Sequence, residues 1–197
     1  MSQRLEKQLK KIIASVPARP DIVKAYRHRL KEGLFSRDDN KQSHFCVYFA
    51  AYDPKAEKVY LGHHKKSGFW LFTGGHIDRG ETPTETVIRE IWEEWGQRIS
   101  SGAVGKPVLL TITEIIDNPR VLCKRHFDIW YLFGVELKKF KVDFDKLAKE
   151  FYQNRWVSLA AAQKLVVDDS TRQMLNYLNF RIVHPRREES RFRKPLN

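Results

Sequence analysis

Three glutamates, Glu90, Glu93 and Glu94, stand in the relation i, i+3 and i+4, which on a helix places them within about a 100° arc. Carboxylates held that close repel one another, and Arg89 beside them supplies a single positive charge. A divalent cation would resolve the conflict. Oxygen donors with no cysteine nearby favour a hard ion: Mg²⁺ takes a few carboxylates, keeps several waters and shares its shell with phosphate oxygens, and Mn²⁺ is the alternative. The helix that must position these residues runs from Pro83 to Trp95, with proline at its start and Gly96 after its end. Ile88, Ile91, Trp92 and Trp95 fall on its opposite side at i, i+3, i+4 and i+7, so the glutamates are expected to point away from a packed face. Because i,i+4 glutamates more often mark a solvated face, the flanking segments decide between the readings.

Those segments mix strands and helices. His44 to Tyr52 and Lys58 to Gly62 are rich in β-branched and aromatic residues, with Asp53-Pro54 supplying a turn between them. Phe69 to Phe72 leads as a strand into Gly74-Gly75, and Val108 to Ile116 and Phe127 to Leu137 form two more strands with Asn118-Pro119 turning between them. Arg155 to Ser158 reads as a short strand and Ser170 to Phe180 as a helix. Ahead of all these, residues 2 to 14 and Pro20 to Gly33 read as two helices, joined to the rest by the polar stretch SRDDNKQS, Ser36 to Ser43. The pattern predicts a layered α/β domain at 42–183, an N-terminal helical extension at 1–41 and a basic C-terminal tail at 184–197.

Gly75, five residues, Glu81, seven residues, then Arg89-Glu90-Ile91-x-Glu93-Glu94-x-Gly96 resembles the Nudix box at every charged and glycine position. The surrounding elements, about 43 to 180, suit that family's α/β/α sandwich with a mixed sheet. Two positions depart from the pattern: Gln97 stands where relatives carry an aliphatic residue, and Thr73 where many carry proline. The resemblance implies Glu90 and Glu94 as principal metal ligands, Glu93 as a further ligand or the base that deprotonates water, and the Gly75 carbonyl completing the shell. It implies that Arg89 orients the glutamates and that Glu81 supports the loop or a second metal. The implied chemistry is hydrolysis of a phosphoanhydride, Mg²⁺ neutralising a diphosphate and activating water for in-line attack. Glu150 and Glu114 are further candidates for the base.

Other residues carry weaker signals. Lys65 and Lys66, in the basic loop after His63 and His64, and His76 are candidate phosphate contacts, against the alternative of a solvated turn. His63, His64 and His76 come without a cysteine or a closed set of four ligands, so zinc is not expected there. Phe69 and Trp70 suit either base stacking or the core, and His126 and Asp128, two apart on one strand, read as a surface pair. Cys46 and Cys123 have neither metal-ligand spacing nor the number for a disulfide framework.

Net charge is +12, but residues 1–41 carry +6 and 181–197 carry +4, which leaves a nearly neutral centre. Basic ends on a neutral core are as readily explained by solubility or by steering of polyanionic substrates, so nucleic acid is not favoured as the main partner and a phosphorylated small molecule is expected. The sequence has no secretory signal pattern and no apolar run long enough for a membrane span, so a cytoplasmic setting is expected. The leading functional expectation is an Mg²⁺-dependent hydrolase acting on a nucleoside diphosphate linked to another group. The alternatives are a pyrophosphohydrolase acting on RNA 5′ ends and a nucleotide-binding module without catalysis, the latter disfavoured by the intact box.

Overall fold

The computed structural model describes residues 2–116 and 122–183; Asn118-Pro119 and the tail at 184–197 lie outside the described residues. The centre is β1, Ser43–Asp53, whose Phe45, Val47, Phe49 and Ala51 face one way while Tyr48, Ala50 and Tyr52 face the other. It runs parallel to β6, Arg125–Gly134, and antiparallel to β2, Lys58–His64, and β4, Thr73–His76. The sheet continues outward to β3, Trp70–Leu71, and β7, Phe151–Ser158, on the β2 side and to β5, Leu109–Glu114, beyond β6. It is a mixed seven-stranded sheet, and a mixed sheet is what the family resemblance implies.

Helices cover both faces. On one lie α1, Ser2–Ser15, α2, Pro20–Glu32, and α3, Pro83–Glu90, which continues as a π-helical turn over Ile91–Trp95. The other carries α5, Leu159–Leu165, and α6, Asp169–Val183, whose Met174, Leu175 and Leu178 pack on Trp130 and Ala50. A further helix, α4, Phe144–Glu150, packs against the π turn. The sequence signals for α4 and α5 are short, seven residues each, with N-caps at Asp143 and Ser158. No helix among the described residues is long and apolar enough to cross a membrane.

The first two helices belong to the main core. Leu5, Leu9, Ile12, Ile13 and Val16 of α1 and its exit are buried in the same cluster as Phe45, Val87 and Trp95. From α2, the Tyr26 hydroxyl donates to the carbonyl oxygens of Thr111 (2.8 Å) and Asp128 (2.7 Å), which fastens the helix to β5 and β6. Helix α1 also holds the start of α3: Gln8 Nε2 donates to Thr84 Oγ1 at 2.8 Å and Arg4 pairs with Glu85 at 2.6 Å.

Candidate active site

Helix α3 begins with a capping box: Thr82 Oγ1 accepts from the Glu85 N–H while the Glu85 carboxylate accepts from the Thr82 N–H. The helix then changes to a π turn and stops at Gly96, which takes the left-handed conformation at φ 72°. A side chain at Gly96 would also meet Asp143 Cβ at 2.6 Å, so glycine is needed there for two reasons. After Pro83 at its start, the buried residues of this element are Thr86, Val87, Glu90, Ile91, Glu94 and Trp95, a continuous stripe at i, i+1, i+4, i+5, i+8 and i+9.

Two of the three glutamates, Glu90 and Glu94, therefore lie inside the protein, whereas the apolar spacing predicted that all three point away from the packed face. Trp92, expected in the core, is 38% exposed, with Lys146 Nζ 3.5 Å and Arg98 4.3 Å from its ring centroid. What admits the carboxylates is the Gly74-Gly75 pair on β4. A Cβ on Gly75 would sit 1.8 Å from Glu90 Oε1, and the Gly74 N–H donates to Glu94 Oε2 at 3.0 Å.

Arg89 ties the acidic residues together. Its guanidinium donates through Nε and Nη2 to both oxygens of Glu81 (2.7 and 2.9 Å), through Nη1 to Glu90 (2.7 Å) and Glu93 (3.0 Å), and through Nη2 to the carbonyl of His76 (3.0 Å). Partial burial opposes its charge, yet the surrounding carboxylates hold it more firmly protonated than usual. Burial likewise works to raise Glu81, but the hydrogen bonds from Arg89 outweigh it and its pKa is lowered. Glu90 goes the other way: burial, only partly offset by Arg89, pushes it up to about 7. Glu94 is raised well above the carboxylate range by burial and by the charge of Glu90, against the opposing Gly74 N–H.

These groups open onto a cavity of about 1080 Å³. Gly74, Gly75, His76, Arg89, Glu90, Glu93 and Glu94 line it together with Lys66, Glu114 and Glu150, which converge there from distant segments. Lys66 pairs with Glu150 at 3.0 Å, and Glu114 with Arg125 at 2.6 Å. Lys65 is not in this lining; its Nζ donates to the Ala148 carbonyl. Phe69 reaches the cavity, whereas Trp70 stacks on His63 with ring centroids 5.4 Å apart and has the Arg155 guanidinium 4.5 Å from its ring centroid. Sequence spacing gave no sign of Tyr48, Lys146, Lys149 or Asp168, which also line the cavity from β1, α4, its C-terminal turn and the residue just before α6.

His126 and Asp128 are buried, in contrast to the expected surface pair. Asp128 Oδ2 accepts hydrogen bonds from Thr111, Thr113 and Ser170 at 3.1, 2.6 and 3.1 Å, and burial, outweighing these, pushes its carboxyl up to about 7. Burial and the neighbouring histidines keep His76 and His126 neutral, lowered to about 2 and about 3. The two departures from the box pattern are accommodated locally. Thr73 Oγ1 donates to the Phe49 carbonyl at 3.1 Å, and Gln97 Nε2 donates to the Lys141 carbonyl at 2.5 Å.

An RNA pyrophosphohydrolase from Psychrobacter cryohalolentis is 32% identical over 96 residues, 45% of this chain and 56% of that protein. One from Francisella tularensis subsp. mediasiatica is 29% identical over 110 residues, 53% of this chain and 71% of that protein. The chain thus spans little more than half the length of the first of these relatives. Among solved structures, the E. coli dihydroneopterin triphosphate pyrophosphohydrolase superposes with a TM-score of 0.57 at 17% identity, covering 73% of this chain and 96% of that one, a likeness of fold. The family profile described as the NUDIX domain matches residues 28–178, and with that match covering most of its length, the chain belongs to the NUDIX domain family.

Proposed function

We propose that this chain hydrolyses a phosphoanhydride bond in a nucleoside diphosphate linked to a second group, with Mg²⁺ as cofactor. The observation that carries the reading is the placement of Glu90 and Glu94. Both are buried against the Gly74-Gly75 backbone, where burial raises them toward protonation, and the Arg89 guanidinium reaches Glu81, Glu90 and Glu93. An all-oxygen set short of positive charge fits a hard divalent cation, with Glu90, Glu94 and the Gly75 carbonyl holding it and Glu93 assisting. Bound there, Mg²⁺ supplies neutralisation of the diphosphate charge and acidification of water.

The protein's own residues do the rest. Arg89, locked to Glu81 by its two-pronged contact, holds Glu90 and Glu93 in register with the cavity. Glu93 is the most exposed of the three glutamates and is our choice as the proton acceptor from attacking water; Glu150 and Glu114 open onto the same cavity as alternatives. Lys66 and Lys149 bring donors to the phosphate oxygens. Lys65 is left out of this set because it lies outside the lining.

A second reading, removal of pyrophosphate from RNA 5′ ends, is favoured by the names of the curated relatives. The test is phosphate release with Mg²⁺ over nucleotide sugars, dinucleoside polyphosphates, nucleoside triphosphates and 5′-triphosphate RNA, run beside Glu94→Gln. Activity on a nucleoside diphosphate derivative that vanishes in the variant supports the first reading, and turnover confined to RNA supports the second. A wild-type protein that binds nucleotides but releases nothing removes both.

A further inference from the structure

Beside the carboxylates three neighbouring strands present imidazoles side by side, and two of these, His76 and His126, line the same cavity together with Cys123. His44 of β1 is paired in register with His126 of β6, and His76 ends β4, which lies on the other side of β1. Their ring centroids form a near-equilateral triangle, 4.8, 5.0 and 5.1 Å on its sides. Cys123, from the segment leading into β6, closes the group: its Sγ lies 3.7 Å from His44 Nε2 and 3.7 Å from His76 Nε2. One ligand atom from each of the four residues lies within 4.8 Å of every other.

The geometry points to a structural zinc site formed by His44, His76, Cys123 and His126, clipping the segment before β6 to the adjoining ends of β1 and β4. Three observations support it. In a tetrahedral zinc site with ordinary bond lengths, sulfur and nitrogen ligands are about 3.6 Å apart, close to both sulfur–nitrogen distances here. His44 Nδ1 lies 2.8 Å from the Asn40 carbonyl, so that nitrogen carries the proton and Nε2 turns its lone pair toward Cys123, as the outer hydrogen bond of a metal-bound histidine does. Finally, Nε2 of His126 is buried and has no hydrogen-bond partner among the described residues, a cost that a ligated cation removes.

The donors also separate this site from the carboxylates. One sulfur and three neutral imidazoles suit zinc, whereas oxygen donors alone suit magnesium. On binding, Cys123 ligates as thiolate and its proton leaves to solvent. Four protein ligands fill a tetrahedron, leaving no position for water, which assigns the ion a structural role. A three-residue grouping of Cys46, His126 and Asp128 shares His126, but Asp128 is already engaged by three hydroxyls and the set is one ligand short.

The full chain would be expressed with added zinc, passed through metal-free gel filtration and analysed by inductively coupled plasma mass spectrometry. A Glu90→Gln/Glu94→Gln variant would be carried alongside to blank the carboxylate site. We expect one zinc per chain in both proteins and at least about a tenfold loss of zinc affinity in Cys123→Ser. Because Cys123→Ser could fail to fold, Co²⁺ would also be loaded into the Glu90→Gln/Glu94→Gln protein. Tetrahedral visible bands with a thiolate-to-cobalt charge-transfer band are expected. Absence of that band, or zinc retained by Cys123→Ser and lost from the glutamine variant, overturns the assignment.

Discussion

Substituting Gly75 by alanine tests the carboxylate site with one methyl group. Gly75 does not occupy the left-handed region, so the backbone accepts alanine without strain. The new Cβ, however, would lie 1.8 Å from Glu90 Oε1 and 2.2 Å from its Cδ, where ordinary contact needs about 3.4 Å or more. The Glu90 carboxylate must therefore retreat by roughly 1.5 Å, and a displacement of about 1 Å in a positioned reacting group costs on the order of 100-fold in rate. That corresponds to about 2.7 kcal/mol in the barrier. Stability should change little, because what moves is the end of a side chain whose buried charge already disfavours its position. The assay is kcat/KM for phosphate release as a function of Mg²⁺, with thermal melting as control. We expect a fall of about 100-fold, partly restored by raised Mg²⁺, with an unchanged fold. Wild-type kcat/KM and Mg²⁺ dependence in Gly75→Ala would refute the placement of the cation between Glu90 and this backbone.

Arg89→Lys keeps the charge but loses the two-pronged contact with Glu81, so kcat should fall about 10- to 100-fold with a smaller change in KM, measured by steady-state kinetics. In Mg²⁺-free buffer, Glu90 has a folded pKa of about 7, above the ordinary value of 4.5. The stability associated with it is therefore full below about pH 4.5 and is lost as pH rises through about 7, on the order of 3 kcal/mol, with Glu94 acting in the same direction. Asp128, raised to about 7, adds to this loss, while His76 and His126, lowered to about 2 and about 3, oppose it, so the melting curves are compared with those of Glu90→Gln. Between about pH 5.5 and 8 without Mg²⁺ the wild type should lose stability relative to the variant, and added Mg²⁺ should reduce that loss; parallel pH profiles would contradict the shift. Leu9→Ala should destabilise the protein by about 2 to 5 kcal/mol in chemical denaturation, since Leu9 is fully buried between α1 and the main core.

The sequence made the strands and long helices legible because their burial is regular, as in the alternation along β1. Helices α4 and α5 escaped because seven residues barely establish a period. The N-terminal helices were visible as helices, but nothing in their spacing says that Leu5, Leu9 and Ile12 join the sheet's own core. Removing residues 1–41 would therefore damage the fold, and trimming them cannot serve to test whether their positive charge binds RNA. The convergence of His44, His76, Cys123 and His126 was equally hidden, since strand register brings the three histidines together and the segment ahead of β6 adds Cys123.

The acidic helix shows why composition can name a site and still misplace it. Apolar character chose Ile88, Ile91, Trp92 and Trp95 as the buried side, but the stripe that packs inward includes Glu90 and Glu94 and leaves Trp92 outside. The rule that buries apolar residues assumes that the opposing surface is filled. Here it is not: glycines at 74 and 75 leave room beside the β4 backbone, and a carboxylate fills it, Glu94 accepting the Gly74 N–H while Glu90 is held by Arg89. Packing that carboxylate pair beside bare backbone is unfavourable for the protein alone, as the raised pKa values record. The arrangement becomes favourable when a cation joins it. The burial of the two glutamates, more than their spacing along the helix, is thus the strongest structural argument for a metal at this site.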